Sequence, residues 1–330
     1  MMDDRRNSAT ETSKRWSESA AVGLLGDFHE ISGVETLVGN GDDAAVFRST
    51  HPLVFCVDSL VEGQDFRKEW ASFEDVGWKL GAVNLSDLAA MGATPLTGFL
   101  SLGVPQDVSE SELRALRTGL EGVWAPFGPL HIAGGDLSKT EGPFWASLNV
   151  VGQLQGVEPL RRCRAEPDDL ICVSGSLGRA AAGLWELEND LEGGGASFRL
   201  AQLRPRPRVA LGELLAQSGL AKAAIDVSDG LLLDLRRLVG DEYGAEVHSS
   251  QLPVEEQLRS AYPERWLNWA LHGGEDFELI FCVARENLDA VMHIQGDCDI
   301  TVIGKVTKEP ELLVDGAKVE GPLGFDHFRR

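Results

Sequence analysis

Apolar and polar positions fall into short blocks whose period changes repeatedly along the chain. Residues 17–31 carry a short helical pattern, and "AAVFRSTHPLVFCVDSLV" reads as two strands, 44–48 and 53–58, joined by a turn at 50–52. In "SFEDVGWKLGAVNLSDLAAMG", residues 72–92, Val76, Leu80, Val83 and Leu88 recur near helical spacing, with Gly92 as the stop. Asn84 and Asp87, three apart, share a face of that helix. A strand at 96–104, a helix at 110–124, a short strand ending in "HIAGGD" and a strand at 145–154 complete a first unit.

Polarity rises and two prolines appear in "GVEPLRRCRAEPDD", which suits a domain boundary. Beyond it the pattern predicts a strand at 170–174, the turn "GSLG", a helix at 179–188 and a mobile loop over "ENDLEGGGASFR". A helix at 209–217, a strand at 223–226 and a helix at 231–239 follow, then strands at 277–283, 300–306 and 311–314. The organisation read from this is a disordered tail over 1–16, an N-terminal unit over 17–155 and a C-terminal unit over 156–330. Strands and helices mix without strict alternation, so the expected class is a two-domain α+β fold with mixed or antiparallel sheets.

With 330 residues, 43% of them hydrophobic and 25% charged, the chain is long enough for two substantial cores. No apolar run approaches the roughly 18 to 20 residues that span a bilayer, and the tail "MMDDRRNSATETSKRW" has no apolar signal region. A cytoplasmic protein without membrane partners is expected. Five cysteines without a CxxC spacing suggest buried thiols rather than disulfides or a zinc site. A net charge of -22 argues against nucleic-acid binding. It permits phosphate ligands, because Mg²⁺ joins one or two carboxylates to substrate phosphates.

Acidic residues recur where apolar runs end or glycines loosen the chain: "NGDDAA", "FCVDSL", "NLSDLA", "AGGDLS", "AIDVSDG" and "HGGEDFE". A single such aspartate is most simply a turn or cap residue; six sites are harder to explain that way. The adjacent Asp42 and Asp43 must either both reach water or share a cation, since two carboxylates ~4 Å apart repel by roughly 4 kcal/mol at an effective dielectric of about 20. Asp226 and Asp229 flank Ser228, although a cap for the following helix needs only one acid. "GGD" at 134–136 and "SGSLG" at 174–178 allow close backbone approach to a ligand. Arg161, Arg162 and Arg164 form the densest basic cluster. Walker A, HExxH and GxSxG patterns are absent, and the GxGxxA of Gly39, Gly41 and Ala44 leads into a strand, unlike a dinucleotide fingerprint. Carboxylate, glycine and arginine together point to metal-assisted phosphoryl transfer.

In sequence order, "GNGDDAAVF", "VDSLVEGQDF", "KLGAVNLSDLAAMGATP", "GGDLSK", "AIDVSDGLLLDL", "HGGEDFELIF" and "GFDHF" resemble the thiamine-monophosphate kinases of the aminoimidazole-ribonucleotide synthetase (PurM-like) superfamily. The resemblance runs from about residue 24 to residue 328. It implies an N-terminal mixed-sheet domain that dimerises through its sheet, a C-terminal α/β domain, and ATP with several Mg²⁺ ions between them. The implied reaction moves the γ-phosphoryl group of ATP to thiamine monophosphate. Position by position, it implies Asp43, Asp58, Asp87, Asp136, Asp226 and Asp229 as metal ligands, with Asp136 and Asp229 central to catalysis. Gly135, Asp136, Arg162 and Ser228 would contact the nucleotide, and Glu275 and Phe325 the acceptor. Asp43 would then enter the metal site while Asp42, pointing to the opposite face of an extended segment, is unassigned.

Three positions depart from the family pattern. Cys56 and Val57 replace hydroxyl residues, Leu137 replaces the threonine of "GGDT", and Asp65 stands at a substrate-contacting histidine position. Two alternatives remain at this point: another ATP-dependent enzyme of the superfamily with a different phosphorylated acceptor, or a catalytically silent nucleotide-binding homologue.

Overall fold

The computed structural model describes residues 34–38, 46–191, 196–294, 296 and 298–326. The expected tail, the helix at 17–31, Asp42 and Asp43 lie outside them. A two-stranded antiparallel ribbon, β1 (Val34–Val38) with β2 (Val46–Ser49), precedes β3 (Leu53–Val61). That third strand runs beyond the expected 53–58 because all nine of its residues find partners on β6 (Trp145–Gln153), from Leu53 opposite Gln153 to Val61 opposite Trp145. With β4 (Thr94–Val104) and β5 (Ile132–Lys139) they form a four-stranded sheet ordered β3-β6-β4-β5, antiparallel except for β4 with β5.

One face of this sheet is covered by α1 (Phe73–Met91), against which α2 (Glu110–Trp124) packs. The start of α1 is set by Ser72, whose hydroxyl accepts from the Asp75 amide at 3.2 Å while Asp75 Oδ2 accepts from the Ser72 amide at 3.0 Å. Such reciprocal caps contribute about 1 kcal/mol. Its end is Gly92, at φ 72°, a left-handed turn that suits a residue without a Cβ.

The second sheet has seven strands, ordered β13-β12-β9-β11-β7-β10-β8. It comprises β7 (Leu170–Ser174), β8 (Ala221–Asp226), β9 (Gly244–Val247), β10 (Leu279–Val283), β11 (Ile300–Thr307), β12 (Leu312–Val314) and β13 (Ala317–Lys318). Its pairs are antiparallel except β12 with β9. Strands β7 and β10 are buried throughout, so "LICVS" and "LIFCV" read as continuous rather than alternating apolar runs. Around the sheet lie α3 (Arg179–Glu188), α4 (Ala196–Leu203), α5 (Val209–Ser218), α6 (Leu231–Val239), α7 (Glu256–Ala261), α8 (Trp266–His272) and α9 (Leu288–Met292). The segment expected to be a loop is thus helical from Ala196 onward, where Phe198 buries its ring beside Ala182 and Leu258.

The two units share one core. Leu80, Leu85 and Leu88 of α1 belong to the same apolar cluster as Leu148 and Val150 of β6 and as Cys172, Leu279 and Phe281 of the larger sheet. Helix α1 is therefore buried on most of its circumference, as a helix between two layers must be. Close packing of α5 on α1 explains Gly212: a Cβ there would lie 2.1 Å from the Ala89 carbonyl oxygen. The mixed-sheet α+β architecture expected from the pattern is the one observed.

Candidate active site

A cleft of about 970 Å³ opens between the units, lined by Asp58 of β3, Asp87 of α1 and Asp226, Ser228 and Asp229 at the end of β8. Asp65, Glu275 and Phe325 also line it. From α1 the lining residues are Asp75, Val76, Lys79, Val83 and Asp87, a row that follows the i, i+4 ridge of a helix.

Three of these carboxylates disturb one another. Burial, then the charges of Asp226, Asp65 and Asp229, push Asp58 up to about 6. Burial and Asp58 push Asp87 up to about 6, against the lowering pull of Arg162. Asp226 is likewise pushed up to about 6, by burial and by Asp87, although the Ser86 hydroxyl donates to its Oδ2 at 2.7 Å. A site of mutually repelling, half-desolvated carboxylates favours a cation. Among the described residues no three His, Cys, Asp or Glu side chains close on a single point. That donor set fits Mg²⁺, which takes one or two carboxylates and completes its shell with phosphate oxygens and water, better than the all-protein cage of Ca²⁺ or Zn²⁺.

Backbone hydrogen bonds from separate segments position the 227–230 turn. Ser228 and Val227 carbonyls accept the amides of Glu275 and Phe277 at 2.9 Å each, and the Asp229 carbonyl accepts that of Phe325 at 2.9 Å. Glu275 and Phe277 both sit at positive φ, 67° and 50°, a costly backbone choice for residues with side chains and one concentrated at ligand sites. Within the turn, Asp234 Oδ2 accepts the amides of Ser228, Asp229 and Gly230 at 3.0, 2.8 and 3.1 Å. Arg237 then ties Asp229 to Asp234, at 2.6 and 2.7 Å.

Arg162 is exposed and outside the cleft lining, yet near enough to lower the proton affinity of Asp87 and Asp226. Gly135 and Asp136 lie on β5 and do not line the cleft. Asp136 pairs with Ser101, which pairs with Ser147, which pairs with Ser59; three strand spacings, about 14 Å, separate the two ends of that row. Asp65 is committed locally, its Oδ2 accepting the Val61 amide at 2.7 Å. Asp43 lies outside the described residues.

Residues not singled out from the sequence complete the site. Lys79, only 3% exposed, pairs with Glu275 Oε1 at 2.6 Å. Gln202 Nε2 donates to Glu275 Oε2 at 2.5 Å. Trp185 and Trp269, with ring centroids 6.5 Å apart, form an aromatic wall of the cleft, which Trp70 also lines. Lys79 lies four residues from Asp75 and from Val83 and eight from Asp87, a spacing present in the sequence that placed it on the Asp87 side of the helix; no signal in the sequence pointed to Gln202.

Residues 41–154 match the family model of the AIR synthase related protein, N-terminal domain, and residues 166–315 that of the AIR synthase related protein, C-terminal domain. The thiamine-monophosphate kinase of Bacillus subtilis (strain 168) is 34% identical over 312 residues, covering 88% of this chain and 94% of that protein. The crystal structure of thiamine-monophosphate kinase from Stenotrophomonas maltophilia K279a superposes with a TM-score of 0.77 at 37% identity, covering 86% of this chain and 92% of that one. AaThiL complexed with AMPPCP and TMP superposes with a TM-score of 0.76 at 31% identity, covering 87% and 91%.

Proposed function

This chain belongs to the AIR synthase related family, on its thiamine-monophosphate kinase branch, and from that premise we propose that it transfers the γ-phosphoryl group of ATP to thiamine monophosphate, giving thiamine diphosphate and ADP. The observation that carries the reading is the convergence of Asp58, Asp87, Asp226 and Asp229, from both units, on one cleft. Two phosphorylated molecules meeting in line repel each other, and the catalytic problem is mainly one of charge and position.

Asp58, Asp87, Asp226 and Asp229 would hold the Mg²⁺ ions, with Asp43 as a further ligand; Asp136, on β5 and off the cleft lining, is not among them. When bound, Mg²⁺ neutralises phosphate oxygens and stabilises charge on the transferring group. The chain's own residues do the rest. Asp234 and Arg237 fix the turn that carries Ser228 and Asp229, Arg162, whose charge reaches Asp87 and Asp226, serves the nucleotide, and Glu275 and Phe325 face the acceptor. The tryptophan wall excludes water and offers flat surfaces to aromatic rings. Because an acceptor phosphate is already ionised at neutral pH, no strong general base is required and transfer is direct, without a phosphoenzyme.

A homodimer is part of this reading, formed through the sheet face that α1 leaves uncovered. Phe55 and Val57 stand on β3 at 70% and 56% exposure, two residues apart and hence on one face. No helix among the described residues is long and apolar enough to cross a membrane, and we place the protein in the cytoplasm. The test is incubation with ATP, Mg²⁺ and thiamine monophosphate, scored for thiamine diphosphate. Product from the wild type, falling roughly a hundredfold or more in Asp229→Asn, is expected; ATP binding without product would overturn the reading.

A further inference from the structure

Lys79 is a buried cation with one carboxylate partner at the wall of an acidic cleft. Its ammonium lies 2.6 Å from Glu275 Oε1 and 3.4 Å from the Asp65 carbonyl oxygen. Taking an ammonium out of water is unfavourable unless a partner compensates it. A helix that only packs between two sheets gains nothing from a lysine there, since an apolar side chain would serve. Glu275, its partner, is held by backbone at φ 67° and by Gln202. Both ends of the pair are thus fixed from outside, one by α1 and one by the strained segment before β10.

Position along α1 separates this pair from the metal-binding end. Lys79 and Asp87 are eight residues apart, about 12 Å along the axis. The cleft therefore has a carboxylate end suited to cation-bound triphosphate and, about two helical turns earlier along α1, the Lys79–Glu275 salt bridge.

Resting on the proposed function, we propose that Lys79 is the anchor for the acceptor's phosphate and that the Lys79–Glu275 pair is a resting ion pair which opens on a zwitterionic acceptor. The ammonium turns to the phosphate monoester and the carboxylate to the cationic ring of the same molecule. Charge balance in the cleft is preserved throughout. Such an exchange selects ligands that carry both signs, and it rejects an unphosphorylated analogue because Lys79 would gain nothing by leaving Glu275.

The test is binding in metal-free buffer, which isolates Lys79 from any divalent ion, read by quenching of the cleft tryptophans. The wild type is expected to bind thiamine monophosphate about tenfold or more tighter than thiamine. In Lys79→Met that ratio falls to near one while AMPPCP affinity with Mg²⁺ is unchanged, a pattern that a merely structural lysine would not produce. The double variant Lys79→Met with Glu275→Gln also removes the half-buried carboxylate left without its cation, so it should fold if the single variant does not, and its ratio should also be near one. A ratio that stays at the wild-type value in either variant overturns the anchor and leaves the kinase reading standing. A wild type that binds thiamine as tightly as its monophosphate overturns the anchor alone. A wild type that binds neither overturns the anchor, and the product assay with ATP and Mg²⁺ then decides the kinase reading separately.

Discussion

Ser86 of α1 donates its hydroxyl hydrogen bond to Asp226 of β8 at 2.7 Å, with both side chains buried and 140 positions apart in the sequence. The bond crosses from the first unit to the second beside the cleft, so the placement of Asp226 depends on the seating of α1 between the sheets. A hydrogen bond to a charged group contributes about 1.5–3 kcal/mol. Ser86→Ala should lower unfolding free energy by about that amount and weaken nucleotide binding with Mg²⁺. Urea denaturation alongside AMPPCP titration checks both; a loss of stability without loss of binding would detach Ser86 from the site.

The raised carboxylates give stability an unusual pH dependence. Asp58, Asp87, Asp226 and Asp234 stand at about 6 in the folded chain, and Asp276, which accepts the Gly178 and Ala180 amides at the N-terminus of α3, at about 7, against an unfolded value of 3.8. Between these values the folded state holds more protons than the unfolded one, so metal-free stability falls as pH rises from about 4 to about 7. Mg²⁺ binds the deprotonated forms of the cleft carboxylates. Its stabilising effect on the thermal midpoint should therefore be larger at pH 7.5 than at pH 5, and EDTA should abolish the difference. Equal Mg²⁺ shifts at the two pH values would contradict the assignment.

Asp234 is not among the expected metal ligands, yet it accepts three backbone amides of the turn that carries Asp229. Asp234→Ala should reduce kcat at least as strongly as it raises KM for ATP, because Asp229 is misplaced rather than removed. Steady-state kinetics, with circular dichroism to confirm folding, decide this; unchanged kcat in a folded variant would remove Asp234 from the positioning machinery.

Phe55 and Val57 predict the oligomeric state. Replacing both with lysine should convert a dimer to a monomer in sedimentation velocity, with far-UV circular dichroism unchanged. A variant that sediments like the wild type would place the interface elsewhere.

Much of this architecture is legible locally. Ser72 and Gly92 bracket α1 as the pattern indicates, and α2, α3, α6 and β7 fall where apolar runs are punctuated by glycine or polar residues. Helices α7 and α8 escape because they are six and seven residues long, too short for a helical period to stand out. Strand β9 escapes for the same reason, with four residues that gain their meaning only from β11 and β12. The acids of the site are visible one by one at the ends of apolar runs, but their convergence depends on α1 lying between two sheets. The spacing puts Lys79 on the cleft side of α1, but its burial is illegible for a different reason: a lysine on a helix is ordinarily solvated, and only the two-sided burial of α1 makes this one a buried charge.

The central claim is that cleft carboxylates hold divalent ions against nucleotide phosphates, and counting those ions tests it most directly. Electron paramagnetic resonance titration of Mn²⁺ into the protein should show weak binding alone and at least two tight sites per chain once AMPPCP is added. Asp58→Asn and Asp226→Asn should each remove tight binding while AMPPCP alone remains bound. Full Mn²⁺ stoichiometry in both variants would contradict the account.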